Sequence, residues 1–444
     1  MTDPADCGPV TLALCQDVQC EAHDYPLSFF EPRCWAPRRI APDRGELEAV
    51  AAAIRAAKRP LIVAGGGVLY SEAEEALSRF ATAFGLPVTE TQAGKSSLPH
   101  DHPLNLGAIG VTGTSAANAL AGEADLILAV GTRLQDFTTG SWALFKEPSR
   151  RIIGLNVQPF DAAKHSSLPL VADARVGIEA LAAALQGWSA PSAWAQAAGD
   201  AKARWSRERE EAVAPTAAGG LPTDAQVIGA VQRAGRPSDI VVCAAGGLPG
   251  ELHKLWQTSR PGGYHLEYGY SCMGYEIPGG LGVKMARPEA EVIVLVGDGS
   301  YLMLNSEIAT SILLGRKLIV VVLDNHGFGC IDRLQRAIGG ASFNNLMKDT
   351  TQEAIPALDL AAHAASLGAD AARVGSLPEL EAGIARAREA RRTTVLVIET
   401  DPAAATAAGG HWWDVAVPEV SEREQVRDAH AAYVKAVKAQ RPFD

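Results

Sequence analysis

Two unbroken apolar runs, Val292–Val296 and Leu318–Leu323, each stop at a turn rich in glycine and oxygen-bearing side chains. The first continues as Gly297-Asp298-Gly299-Ser300 and the second as Asp324-Asn325-His326-Gly327. A strand that is apolar at every position must be covered on both faces, as inside a parallel sheet between two helical layers. Between the runs, Met303–Leu314 predicts a helix closed by Gly315 at a left-handed C-terminus. The segment is one strand–helix–strand unit. Its right-handed crossover leaves the strands parallel and adjacent, with both carboxyl ends on one edge of the sheet.

Asp298 and Asn325, 27 residues apart, can then face a single ion. A carboxylate, an amide oxygen and a nearby backbone carbonyl make an all-oxygen set, which suits Mg²⁺ and leaves positions for phosphate oxygens and water. Gly299 lets a phosphate approach the backbone, and Ser300 can donate to it. Taken singly, Asp298 would cap its own helix and Asn325 would sit in a turn. Both on one unit favour the ion site.

The same alternation runs through most of the chain and implies parallel sheets with helices on both faces. Strands are expected at Pro60–Ala64, Leu126–Val130 and Arg151–Val157, then at Ile240–Cys243 and Val395–Glu399. Residues 9–14 also look like a strand, followed by a linker marked by Pro26, Pro32, Pro37 and Pro42. Residues 187–220, rich in Ala, Ser, Pro and Gly around one charged helix, read as a second linker. The fold class is α/β, with two doubly wound parallel-sheet domains at 45–186 and 221–410 and a tail at 411–444.

With 444 residues, 47% hydrophobic and 20% charged, the chain can bury two or three cores. A net charge of −11 argues against nucleic acid as a partner, and no apolar run is long enough to span a membrane. The basic run Lys202–Arg209 is interleaved with acids and reads as a solvated helix face. Cys7, Cys15, Cys20 and Cys34 lack zinc-site spacing, so the seven cysteines suggest reduced thiols. Without a visible signal peptide, the expected compartment is the cytoplasm. Gly65-Gly66-Gly67 after a strand could hold a dinucleotide or serve tight packing, and packing is favoured. His100 and His102 in Pro-His-Asp-His-Pro read as a surface loop.

The Gly-Asp-Gly-Ser turn followed by the Asp324-Asn325 pair resembles the diphosphate motif of thiamine-diphosphate enzymes, which usually carry two asparagines. The resemblance implies thiamine diphosphate and Mg²⁺, with Asp298, Asn325 and the Gly327 carbonyl as metal ligands and Gly297, Gly299 and Ser300 beside the diphosphate. The departure at Asp324 removes no ligand. Ala245-Gly246-Gly247-Leu248 matches the loop whose amides reach the diphosphate, implicating Gly246, Gly247 and Leu248. Ser271-Cys272-Met273-Gly274-Tyr275 matches the segment beneath the cofactor: Met273 would hold its two rings in a V, and the Ser271 carbonyl would meet the pyrimidine amine. Residues 45–185 are similar to the central, Rossmann-like domain of the acetolactate-synthase-like group.

Within that group, Gly327–Ile331, Gly339–Leu346, His411–Glu419 and Cys15–Gln19 resemble the hydrolases that open a cyclic 1,2-dione during inositol breakdown. This implies a small cyclic dione as substrate, opened to 5-deoxyglucuronate by C–C cleavage. Asp332, Arg333, Gln335 and Asn344, just past the metal loop, are candidates to meet its hydroxyls. The resemblance also implies a homodimer or homotetramer. Family members activate the cofactor with a glutamate from a pyrimidine-binding domain, of which residues 1–40 resemble only the tail. Glu21, Glu31 and Glu276 lack its context, so no catalytic residue is assigned and this polypeptide alone is expected not to turn over. A carboligase of the acetolactate-synthase type and a non-catalytic binding remnant stay open as alternatives.

Overall fold

The computed structural model describes residues 2–147, 149–215, 220–267, 269–355, 357–438 and 440. Residues 216–219 of the expected linker and 441–444 of the expected tail lie outside these.

Among the described residues twelve strands are formed: β1 Pro60–Ala64, β2 Val88–Glu90, β3 Asn105–Ala108, β4 Leu126–Val130, β5 Arg151–Asn156 and β6 Leu168–Val171 in one sheet, then β7 Ile240–Cys243, β8 Tyr264–Leu266, β9 Val292–Gly297, β10 Ile319–Asp324, β11 Asp370–Val374 and β12 Thr394–Glu399 in another. The first sheet has the order β3-β2-β1-β4-β5-β6 and the second β11-β12-β10-β9-β7-β8. Every strand pair is parallel. Both sheets are doubly wound, as the strand–helix alternation predicts. In the second, the chain reverses direction across the sheet between β7 and β9. Ligands of such sheets bind in the crevice that this reversal leaves at the carboxyl edge.

β9 and β10 pair from Ile319 with Ile293 through Leu323 with Gly297. Their side chains are buried on both faces, as their unbroken apolar sequences require. The pairing brings Asp298, the residue after β9, level with the end of β10.

Three expectations are revised. Residues 9–14 lie outside both sheets, with Val10, Leu12 and Leu14 exposed, because no strand edge lies beside them to complete their hydrogen bonds. The single helix over Met303–Leu314 is two, Asp298–Met303 and Glu307–Leu313, because Leu304 takes φ −152° and ψ 70°, outside any helix. Third, the segment read as a linker contains a 22-residue helix, Ser192–Val213, that is packed rather than free. Trp194, Ala198, Ala201, Trp205, Arg209 and Val213, three or four residues apart, form its buried stripe. This stripe joins Leu106 and Leu120 of the first domain and Val227 and Leu252 of the second in one apolar cluster. The basic run on the helix is only partly solvated. Arg204 and Arg207 are exposed, but Arg209 is buried and its Nε donates to the Leu255 carbonyl at 2.8 Å.

In the first sheet the triple glycine serves packing. A Cβ at Gly65 would stand 2.4 Å from the Gly131 carbonyl oxygen, and one at Gly67 would stand 2.6 Å from Gly131 Cα. The loop holding His100 and His102 meets the long helix, whose Lys202 Nζ donates to the His100 carbonyl at 2.9 Å.

Candidate functional site

The carboxyl edge of β9 and β10 brings together Asp298, Asp324 and His326, with Arg373 and Glu399 beside them. Asp298 is buried at 2% exposure. Its Oδ2 accepts from the Gly327 amide at 2.7 Å and its Oδ1 from the Asn325 amide at 3.4 Å, so the carboxylate holds the turn after β10. Burial, and then the neighbouring Asp324 carboxylate, push the Asp298 carboxyl up to about 6. The Asn325 side-chain oxygen is buried and accepts no hydrogen bond. An orphaned acceptor is unusual in a folded chain and calls for a partner. Gly327 has φ +144°, and a Cβ there would lie 2.4 Å from the Asn345 carbonyl oxygen, so only glycine fits. Its own carbonyl oxygen points across to Gly299, 3.5 Å from where a Cβ of that glycine would be. Asp298, Asn325 and Gly327 are thus brought together as an oxygen-rich corner, and their chemistry fits a hard divalent cation. Among the described residues no group of three or more His, Cys, Asp or Glu side chains could hold a metal ion. An ion here would rely on the Asn325 oxygen and a backbone carbonyl beside its single carboxylate. A cavity of about 550 Å³ opens onto Asp298, Asp324, Asn325 and His326.

Asp324, where the resembled motif has asparagine, is also buried. Its Oδ2 lies 3.1 Å from Arg373 Nη2 and its Oδ1 lies 3.2 Å from His326 Nδ1. His326 Nε2 stands 2.8 Å from Glu399 Oε1. The extra carboxylate is therefore compensated by partners that the sequence reading did not identify. Arg373 escaped because β11, which carries it, is short and mixed in character.

The other cofactor candidates converge on the same edge. Gly246 is left-handed at φ +84°, and Gly247 leads into the helix Leu248–Leu255, with Leu248 buried. A Cβ at Gly299 would stand 2.7 Å from Phe328 Cε1, so the Phe328 ring would have to shift to admit one. Gly297 ends β9. Ser271 has φ +53°, and Met273 is 36% exposed. Their turn is held by Glu267, whose carboxylate accepts from the Tyr270 and Cys272 amides at 2.9 and 2.7 Å. Ser300 differs from its expected role. Its hydroxyl donates to Glu276 Oε2 at 2.7 Å and accepts from the Gly274 amide at 2.7 Å. The single hydroxyl proton is thereby committed, which leaves the Ser300 backbone N–H to meet an anion.

The four substrate candidates do not form one cluster. Asp332 is buried and paired with Arg336 Nε at 2.7 Å. Gln335 bonds the Ala341 carbonyl and receives Asn345 Nδ2, while Asn344 is exposed with φ +54°. Arg333 reaches toward the cofactor loop: its Nη1 donates to the Pro402 carbonyl at 2.7 Å, and its Nη2 would lie 2.4 Å from a Cβ at Gly247.

Comparison with known proteins agrees with this architecture. The family model described as thiamine pyrophosphate enzyme, central domain, matches residues 47–181. That described as thiamine pyrophosphate enzyme, C-terminal TPP binding domain, matches residues 244–398. A protein of Halalkalibacterium halodurans named 3D-(3,5/4)-trihydroxycyclohexane-1,2-dione hydrolase is 41% identical over 97% of this chain and 71% of its own length. Proteins of the same name from Geobacillus thermodenitrificans and Bacillus cereus are 42% and 39% identical over 100% of this chain and 73% of their own lengths. With two doubly wound domains in the matching places and an oxygen-rich corner at the edge of the second, the chain belongs to the thiamine pyrophosphate enzyme family.

Proposed function

We propose that Asp298, the Asn325 side-chain oxygen and the Gly327 carbonyl hold Mg²⁺, and that this ion anchors the diphosphate of thiamine diphosphate. The observation that carries the reading is the Asn325 oxygen, buried without a partner beside a carboxylate that burial has pushed up. A divalent cation answers both at once. The backbone at Gly246, Gly247 and Leu248 and the first-turn amides of Gly299 and Ser300 receive the diphosphate oxygens. Met273 supports the rings, and the Ser271 carbonyl accepts from the pyrimidine amine.

The reaction is the one in the relatives' name: hydrolytic opening of trihydroxycyclohexane-1,2-dione. The bound cofactor supplies an electron sink for cleavage of the bond between the two adjacent carbonyl carbons. One water balances the reaction: one carbonyl carbon ends as a carboxylic acid and the other gains hydrogen to become an aldehyde. Arg333, beside Gly247 and reaching from the metal-loop helix, is the best placed of the four substrate candidates to orient a polyhydroxy ring. The fold works as a homodimer or homotetramer. Tyr270 at 91%, Phe343 at 70% and Met303 at 53% exposure leave apolar surface near the site that an interface would cover. Seven unpaired cysteines fit a cytoplasmic protein.

The test is calorimetric titration of thiamine diphosphate with and without Mg²⁺. Asp298→Ala is expected to abolish Mg²⁺-dependent uptake while the chain stays folded. Uptake equal to wild type in that variant would sink the assignment.

A further inference from the structure

Three segments surround the proposed diphosphate position, and each comes from a different part of the chain: the loop 244–248 after β7, the turn 271–275, and the β9 terminus 297–300. β7 and β9 are paired, which sets the first and third side by side, but the turn 271–275 lies on neither strand. One buried side chain touches all three. Glu276, 1% exposed at the start of the helix Glu276–Ala286, accepts from the Ala245 amide at 3.2 Å through Oε1. Its Oε2 accepts from the Gly274 amide at 3.1 Å and from the Ser300 hydroxyl at 2.7 Å. Ser300 Oγ in turn accepts from Gly274 at 2.7 Å, which closes the network.

The chemistry of this position is demanding. Three donors converge from three segments on the two oxygens of one carboxyl group; burial pushes that group up, and the bonds from Ser300, Ala245 and Gly274 favour its ionised form, which accepts on both oxygens. A glutamine would turn an NH₂ toward one of the donors. Water cannot substitute at a site so enclosed, so burying a carboxylate here is tolerable only with all its bonds made.

We infer that Glu276 is a positioning residue of the cofactor cradle, clamping the loop after β7, the Ser271–Tyr275 turn and the start of the helix after β9 into one preorganised unit. This rests on the cofactor reading above. Without the clamp the turn must be ordered against the two strand ends when the ligand arrives, and the loss appears as weaker binding. The clamp also explains why the Ser300 hydroxyl is turned away from the anion position.

The test is titration of magnesium thiamine diphosphate into the full chain, comparing wild type, Glu276→Gln, Glu276→Ala and Leu281→Ala, with the melting temperature of each measured without ligand. Leu281 is a buried apolar residue of the same helix and serves as the stability control. Because hydrogen bonds to charged groups are the stronger class, Glu276→Gln is expected to bind about tenfold more weakly and Glu276→Ala about a hundredfold. Leu281→Ala should keep near-wild-type affinity even where its melting temperature is lower. In Glu276→Gln, hydrogen exchange at the Ala245 and Gly274 amides should also quicken. Wild-type affinity in both Glu276 variants would overturn the inference, as would an equal loss in Leu281→Ala. Failure of the wild-type chain itself to take up the cofactor with Mg²⁺ would instead strike the cofactor reading, and the clamp with it.

Discussion

Asp298 is poised between two demands, since it must be ionised to hold a cation and yet is buried beside a second carboxylate. Its carboxyl, pushed up to about 6, is mostly ionised at neutral pH and mostly protonated at pH 5. A metal must displace that proton. Mg²⁺-dependent cofactor uptake is therefore expected to hold above about pH 6 and to fall roughly tenfold per pH unit below it. Calorimetry across pH 5–8 checks this, and a flat profile would contradict it. Asp298 and Asn325 were legible in the sequence because each stands at the end of an apolar strand, where position follows from topology. Glu276, Arg373 and Glu399 were not. Each is one polar residue at the border of an ordinary element, and its importance depends on groups brought to it from elsewhere in the chain.

Among the elements, long and strongly patterned strands were readable, with shifts of one residue at the ends of β5, β9, β10 and β12. The short strands β2, β3, β6, β8 and β11 were not. Three to five residues carry too little periodicity, and neighbouring strands decide their pairing. The helix Ser192–Val213 shows the opposite failure, since its charged residues masked an apolar stripe at helical spacing. Trp205, buried in a cluster that spans both domains, tests the importance of that stripe. We expect Trp205→Ala to destabilise the chain by about 3–5 kcal/mol and to move one common urea transition rather than that of a single domain. A loss below about 1 kcal/mol, the range of surface changes, would show that the helix does not bind the two domains together.

At the scale of the whole molecule, the domains also meet through a buried polar junction. His253 Nε2 donates to the Glu90 carbonyl at 3.0 Å, and its Nδ1 accepts from Thr112 at 2.9 Å. Lys95 Nζ donates to the His253 carbonyl at 2.8 Å. Burial first, and the Lys95 ammonium second, push the His253 ring down to about 3. The unfolded chain protonates a histidine near 6.5. This contribution to stability is therefore complete above about pH 6.5 and is lost as pH falls toward 3. Asp224 and Asp298 shift in the opposite sense, so the readout is the difference between wild type and His253→Gln. That difference should change by about 1.4 kcal/mol per pH unit between pH 6.5 and 5 in urea unfolding. A difference independent of pH would remove His253 from the account.

By itself, the sequence determined that this chain forms doubly wound parallel sheets and that an acid and an amide stand at adjoining strand ends. Both follow from local pattern: unbroken apolar runs, glycine turns and the handedness of the crossover. Only the tertiary structure decided that Glu276 joins three loops, that Arg373 compensates Asp324, and that a charged helix is buried between the domains. Those relations link residues tens to more than a hundred positions apart. Their energies come from burial and from hydrogen bonds that exist only once the sheets have closed around them.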